Sequence, residues 1–154
     1  MAPVPIGDWP VYAHPLFLDQ LEALTTAAAR VRAKNPADYA SSSEAKMLAA
    51  VVKLAFEDIP ADPAHKCFDQ GETLGPARKH WRRAKFYQQY RLFFRFSMAA
   101  KVIVLAWVDD ETTKRAYGSR TDAYATFAKM LKRGDPPDDW AALLASAKTL
   151  ARPA

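Results

Sequence analysis

Residues 90 to 108 read YRLFFRFSMAAKVIVLAWV, two aromatic and β-branched runs divided by four small or weakly polar residues. Each run has the composition of a buried strand and is too short for a typical helix. Tyr90 to Phe96 and Lys101 to Val108 therefore read as neighbouring strands across Ser97–Ala100, and Arg83 to Tyr87 as a third strand before Gln88-Gln89. A small antiparallel ribbon of this kind is not stable alone and needs other layers against it.

The flanking sequence supplies them. Trp9, Val11 and Ala13 alternate with Pro10, Tyr12 and His14, which predicts a short strand, with Pro10 placing it at a sheet edge. From Pro15, apolar Phe17, Leu21, Leu24, Ala28 and Val31 recur at helical spacing until Lys34, before Asn35-Pro36. A second helix is expected to open at the Ser41-x-x-Glu44 capping box and to end at Pro60. After the strands, Tyr124, Phe127, Met130 and Leu131 mark a helix preceded by Ser119-x-x-Asp122 and closed by Gly134. Pro136-Pro137 separates it from a last helix starting at Asp138. The order is β-α-α-β-β-β-α-α, an α+β domain with a small, mainly antiparallel sheet. At 154 residues the chain is the size of one domain able to bury a core without staples.

Charge sharpens the picture. The formal net charge is +5, but residues 73 to 108 hold eight Lys or Arg and no Asp or Glu. Elsewhere 14 basic residues are outnumbered by 17 acidic ones. A localised basic field points to a polyanion, with RNA or DNA the first candidate. Strand alternation arranges it further: Arg91, Phe93 and Arg95 share one face of their strand, and Arg83, Lys85 and Tyr87 one face of theirs. If the strands pair, cations and aromatic rings interleave on one side, equipment for holding phosphates and stacking bases. A solvated edge kept basic against aggregation would produce the same pattern.

Other chemistry is thinly represented. His14, His65 and His80 have no metal-site spacing. Asp109, Asp110 and Glu111 are consecutive, an arrangement better suited to capping than to chelation. Cys67 is the single cysteine, so no internal disulfide forms, as expected in a reducing compartment. No apolar run approaches the roughly 20 residues of a membrane span, and MAPVPIGDWP has neither the basic nor the apolar part of a signal peptide, so a cytoplasmic protein is expected. His80, inside the basic cluster, is a candidate general base. Tyr117, flanked by Lys114, Arg115 and Arg120, is a candidate for proton transfer, since neighbouring cations favour the phenolate.

The strings WPVYAHPLF (Trp9 to Phe17), Leu74-Gly75, KFYQQYRLFFRF (Lys85 to Phe96), WVDDETTKRAYGSRTDAYATFAKMLKRG (Trp107 to Gly134) and PPDDW (Pro136 to Trp140) resemble the YhaV family of bacterial toxins, in order and across nearly the whole chain. The resemblance implies a toxin of a type II toxin-antitoxin system with a RelE-like fold: residues 1–154 as a single RelE-like toxin domain, two N-terminal helices packed on the sheet, and C-terminal helices. It implies an endoribonuclease, or mRNA interferase, that cleaves mRNA on the ribosome without a metal by attack of the ribose 2′-hydroxyl. No cofactor is implied. The implied partners are a PrlF-like antitoxin with an AbrB-type domain, mRNA and the ribosome, with operator DNA reached only through the antitoxin complex. Carried onto this sequence, Arg83, Lys85, Arg91 and Tyr117 are the catalytic candidates, and His80, Arg82, Arg95, Lys114, Arg115 and Arg120 the RNA or phosphate contacts. The arginine that the superfamily carries after the third strand would fall near Glu111, which displaces its role to Lys114, Arg115 or Arg120. The alternatives are a ParE-like non-enzymatic toxin acting on DNA gyrase, an inactive RNA-binding module, or a histidine-based variant using His80.

Overall fold

The computed structural model describes residues 5–6, 9–110 and 122–150. Among these residues one core layer lies on each face of a six-stranded mixed sheet ordered β1-β2-β5-β4-β3, with β6 also pairing β2. The strands are β1 (Pro5–Ile6), β2 (Trp9–Ala13), β3 (Arg82–Phe86), β4 (Tyr90–Ser97), β5 (Val102–Val108) and β6 (Lys148–Thr149).

The expected β3-β4-β5 ribbon is present, with Lys85 opposite Arg91 and Leu92 opposite Val108. Tyr87 lies beyond β3: it and Gln88 adopt φ of 44° and 62° in the connection to Tyr90, the left-handed region that ends strand geometry. β2 departs from the expected edge position. Val11 to Ala13 run parallel to Ile103 to Leu105, while the opposite side of β2 is shared by β1 near Pro10 and β6 near Ala13. Pro10 is accommodated because pairing with β5 starts only at the next residue, where no ladder hydrogen bond needs its missing N–H.

The helices hold the two faces. α1 (Pro15–Lys34) is capped by His14, whose Nδ1 accepts from the Leu16 N–H at 3.1 Å, and Pro15 occupies the first turn. α2 (Ser43–Lys53) starts one residue later than the Ser41 box predicts: Ser42 caps it by accepting from Ala45 N–H, and Glu44 accepts from the Ser43 hydroxyl instead of closing a box. A π turn at Leu54–Asp58 leads into the short α3 (Ile59–Ala61). The widened turn adjoins Pro60, which lacks an N–H and crowds the preceding turn of a regular helix. α1 and the α2 segment pack Phe17, Leu21, Val51 and Leu54 against Leu92, Phe94, Ile103 and Leu105.

The second face is covered by α4 (Ala123–Arg133) and α5 (Trp140–Ser146). α4 is capped by Asp122, which accepts from Tyr124 N–H; Ser119 lies outside the described residues. Gly134 closes α4 as predicted, at φ 83°, with its N–H on Leu131 O and that of Asp135 on Met130 O. α5 begins at Trp140, because Asp139 and not Asp138 supplies the cap. At the centre of this layer Phe127 stacks on Phe93 at 4.3 Å between ring centroids and lies parallel to Trp107 at 5.8 Å. Between Phe93 and Phe94 the pairing skips Ala106, an extra residue in β5, so Ala106 and Trp107 both join this layer.

Candidate active site

Register puts Arg83, Lys85 and Arg91 on the α4 side of the sheet, since Arg83 pairs with the inward-facing Phe93 and Lys85 with Arg91. The basic face expected to be open is largely roofed, and Arg91 is buried. α4 is what gathers the arginines. The Tyr124 hydroxyl accepts from Arg83 Nε at 2.9 Å and from Arg91 Nε at 3.1 Å. Arg91 Nη1 also donates to Gln88 O at 2.7 Å and Tyr90 O at 3.0 Å, bracing the left-handed turn between β3 and β4. Arg83 Nη1 donates to Cys67 O at 2.8 Å, tying the site to the loop before β3. Lys85 is exposed beside them.

The electrostatics leave this cluster positive. Arg91 N–H donates to Asp109 Oδ1 at 2.5 Å, and Asp109 N–H returns to Arg91 O at 3.2 Å. Burial pushes the Asp109 carboxyl up to about 7 against the pull of the Arg91 and Asp109 amides and the Arg91 charge. Its other oxygen, Oδ2, is buried without a hydrogen-bond partner. Burial disfavours the Asp109 charge beside Arg91, so Arg83, Lys85 and Arg91 leave this patch positive. The same burial has a stability consequence. The folded protein holds this proton more tightly than the unfolded chain, so the stability due to the protonated carboxyl is full below pH 3.8, is lost as pH rises to about 7, and is level above. Urea midpoints should fall across that window, and Asp109→Asn should flatten the fall; an identical slope in the variant would assign the dependence elsewhere.

The remaining sequence candidates separate from this cluster. Arg82 points to the opposite layer: it donates to the carbonyls of Ala64 and His65 and lies over the Phe96 ring at 5.6 Å. Arg95 is held between Trp81 and Trp140, at 5.6 and 5.3 Å, and donates to Asp138 O. Burial lowers both guanidinium pKa values, and each side chain packs against aromatic rings away from the Tyr124 hydroxyl. His80 lies before β3, at the end away from Lys85, and its Nε2 meets Asp138 Oδ1 at 2.8 Å. Trp81 Nε1 donates to the same oxygen at 2.6 Å. Burial works against the Asp138 charge, but the His80 and Trp81 hydrogen bonds outweigh it and hold that carboxyl below its usual range. Lys114, Arg115, Tyr117 and Arg120 lie outside the described residues.

Sequence reasoning missed Tyr124 and Asp109, which contact the arginines of the cluster, and Asp138, which holds His80 and Trp81 away from it. Tyr124 was legible only as one of the inward positions of its helix. Among the described residues no group of three or more His, Cys, Asp or Glu could hold a metal ion, and no helix is long and apolar enough to cross a membrane.

Residues 11–148 match the YhaV toxin family, described as a toxin with endonuclease activity of a toxin-antitoxin system. The ribonuclease toxin YhaV of Escherichia coli K12 is 44% identical over 143 residues, which cover 92% of this chain and 93% of that protein. The YhaV toxins of E. coli O157:H7 and of E. coli O6:H1 match at the same identity and coverage. No solved structure matches.

Proposed function

This chain belongs to the YhaV family, toxins with endonuclease activity in toxin-antitoxin systems, and we propose that it cleaves RNA at the Arg83-Lys85-Arg91 cluster. The supporting observation is the pair of guanidiniums fixed on one Tyr124 hydroxyl beside an exposed lysine. The substrate is mRNA on the ribosome, in the cytoplasm. The ribose 2′-oxygen attacks the adjacent phosphorus while a base takes its proton. A phosphorus bond to the 2′-oxygen forms, the bond to the 5′-oxygen breaks, and that oxygen leaves with a proton. The products are a 2′,3′-cyclic phosphate and a 5′-hydroxyl, and no metal takes part.

In this reading Lys85 and Arg91 stabilise the additional negative charge of the phosphorane-like transition state, where fixed cations act more strongly than on the ground state. Arg83 contacts the phosphate and holds the loop at Cys67. Tyr124 positions both arginines, and Tyr117 transfers a proton or stacks on a base. The RelE-like assignment of the fold draws on the packing of α1 and α2 on one sheet face. A PrlF-like antitoxin neutralises the toxin by laying an acidic or extended segment over the basic groups.

Brief induction followed by mapping of RNA 5′ ends tests this. New ends inside translated mRNA are expected with the wild type, and Lys85→Ala should reduce them at least tenfold while the protein stays folded. Intact mRNA together with lost DNA supercoiling would overturn the reading in favour of a gyrase-directed toxin.

A further inference from the structure

Beside Lys85, on the side away from Tyr124, the π turn and the segment after α3 enclose a groove of about 730 Å³ against β3. Leu54, Asp58, Asp62, His65 and Phe68 line it together with Lys85, so it shares a residue with the cationic cluster. Its outer wall is built by the same strand. Arg82 holds the carbonyls of Ala64 and His65, Arg83 holds that of Cys67, and the Cys67 N–H donates to His65 Nδ1 at 3.0 Å. One arginine thus connects the wall of the groove to the Tyr124 hydroxyl.

The chemistry of the lining is that of a base pocket. The exposed His65 ring, edge-on to Phe68 at 6.4 Å between ring centroids, and the apolar edges of Phe68 and Leu54 give a flat heterocycle a ring and aliphatic surface to rest on. Cationic Lys85 stands at the border with the phosphate cluster. The other charged groups of the lining are carboxylates: Asp58, whose two oxygens are both held by Lys53 Nζ at 3.0 Å, and the exposed Asp62. The Asp62 carboxylate, whose charge also acts on Arg82, is the exposed acceptor the lining offers a ligand.

We propose that this groove is the subsite for a guanine of the substrate RNA, next to the scissile phosphate, with the Asp62 carboxylate accepting from the guanine edge. The inference rests on the ribonuclease reading above. Guanine alone presents two adjacent donors on its Watson–Crick edge, N1–H and the 2-amino group, which match the two oxygens of a carboxylate. Adenine offers one donor beside a ring nitrogen whose lone pair faces the carboxylate, and the pyrimidines set acceptors there as well.

The test compares the bases around the cut in cells expressing the wild type or Asp62→Asn, an exposed isosteric change. With the wild type, guanine is expected at one fixed position beside the cut. In the variant the preference for guanine over adenine at that position should fall about tenfold or more, since an amide pairs with the adenine edge and a carboxylate does not. Equal base composition for the two proteins, or no preference in the wild type, would overturn the subsite while leaving the ribonuclease reading intact. An unchanged base preference with weakened neutralisation by the antitoxin would also overturn it and assign the groove to a protein segment. Absence of any new RNA ends with the wild type would reject the ribonuclease reading, and the subsite with it.

Discussion

Arg83→Ala is expected to lower RNA cleavage about 100-fold or more and to abolish growth inhibition on induction. Under the proposed function the residue combines two roles that alanine removes together: a fixed positive charge for the phosphate, and the fork that links Tyr124 to the Cys67 carbonyl. Arg83→Lys separates them. It keeps a cation but cannot reach both partners in the planar geometry of the guanidinium, so a partial recovery of cleavage, well below wild type, is expected. Both variants keep the sheet and its two core layers, and thermal unfolding should show a loss of only about 1–2 kcal/mol from the missing hydrogen bonds. A folded Arg83→Ala protein with wild-type cleavage would remove Arg83 from the site.

The largest stability effect is expected at Phe127. Its ring is fully buried, stacked on Phe93, parallel to Trp107 and edge-on to Trp81 at 5.0 Å. Phe127→Ala leaves a cavity among three large aromatic side chains that cannot close around it, at a cost of about 3–5 kcal/mol. Because α4 carries Tyr124 three residues earlier, the loss also frees the two arginines from their shared acceptor. Denaturant unfolding should show the drop directly, and Phe127→Leu should recover much of it. A change below about 1 kcal/mol in Phe127→Ala would mean that α4 does not hold this face.

These effects depend on contacts that differ in how far local sequence specifies them. The β3-β4-β5 ribbon and α1 were legible because alternation and helical spacing are local properties, and each run carried enough apolar residues to fix its face. Gly134 was legible for the same reason, as a glycine directly after a periodic helix. The parallel pairing of β2 with β5, and the two-residue strands β1 and β6, depend on chain segments meeting from far apart and leave no periodic trace. Capping shifted by one residue at Ser42 and at Asp139 because neighbouring side chains of equal capping strength compete.

The candidate site was legible as composition more than as geometry. Alternation placed Arg83, Lys85 and Arg91 on one face, and the register agrees. It could not show that α4 and α5 would cover that face, so Arg95 read like Arg91 although it is enclosed between two tryptophans. Arg82 lies on the opposite layer from Arg83, as adjacent strand residues do. Tyr124 belonged to an apolar helical pattern, and only the folded register brings its hydroxyl between two guanidiniums. The raised Asp109 pKa likewise comes from burial beside Arg91, which the acidic string Asp109 to Glu111 suggests nothing about.

The central claim is that this cluster stabilises a phosphorus centre attacked by the RNA's own 2′-oxygen. The end groups of RNA cut by the purified toxin on ribosome-bound mRNA test it most directly. Ends bearing 5′-hydroxyl and 2′,3′-cyclic phosphate are the predicted result. Ends bearing 5′-phosphate and 3′-hydroxyl would contradict it.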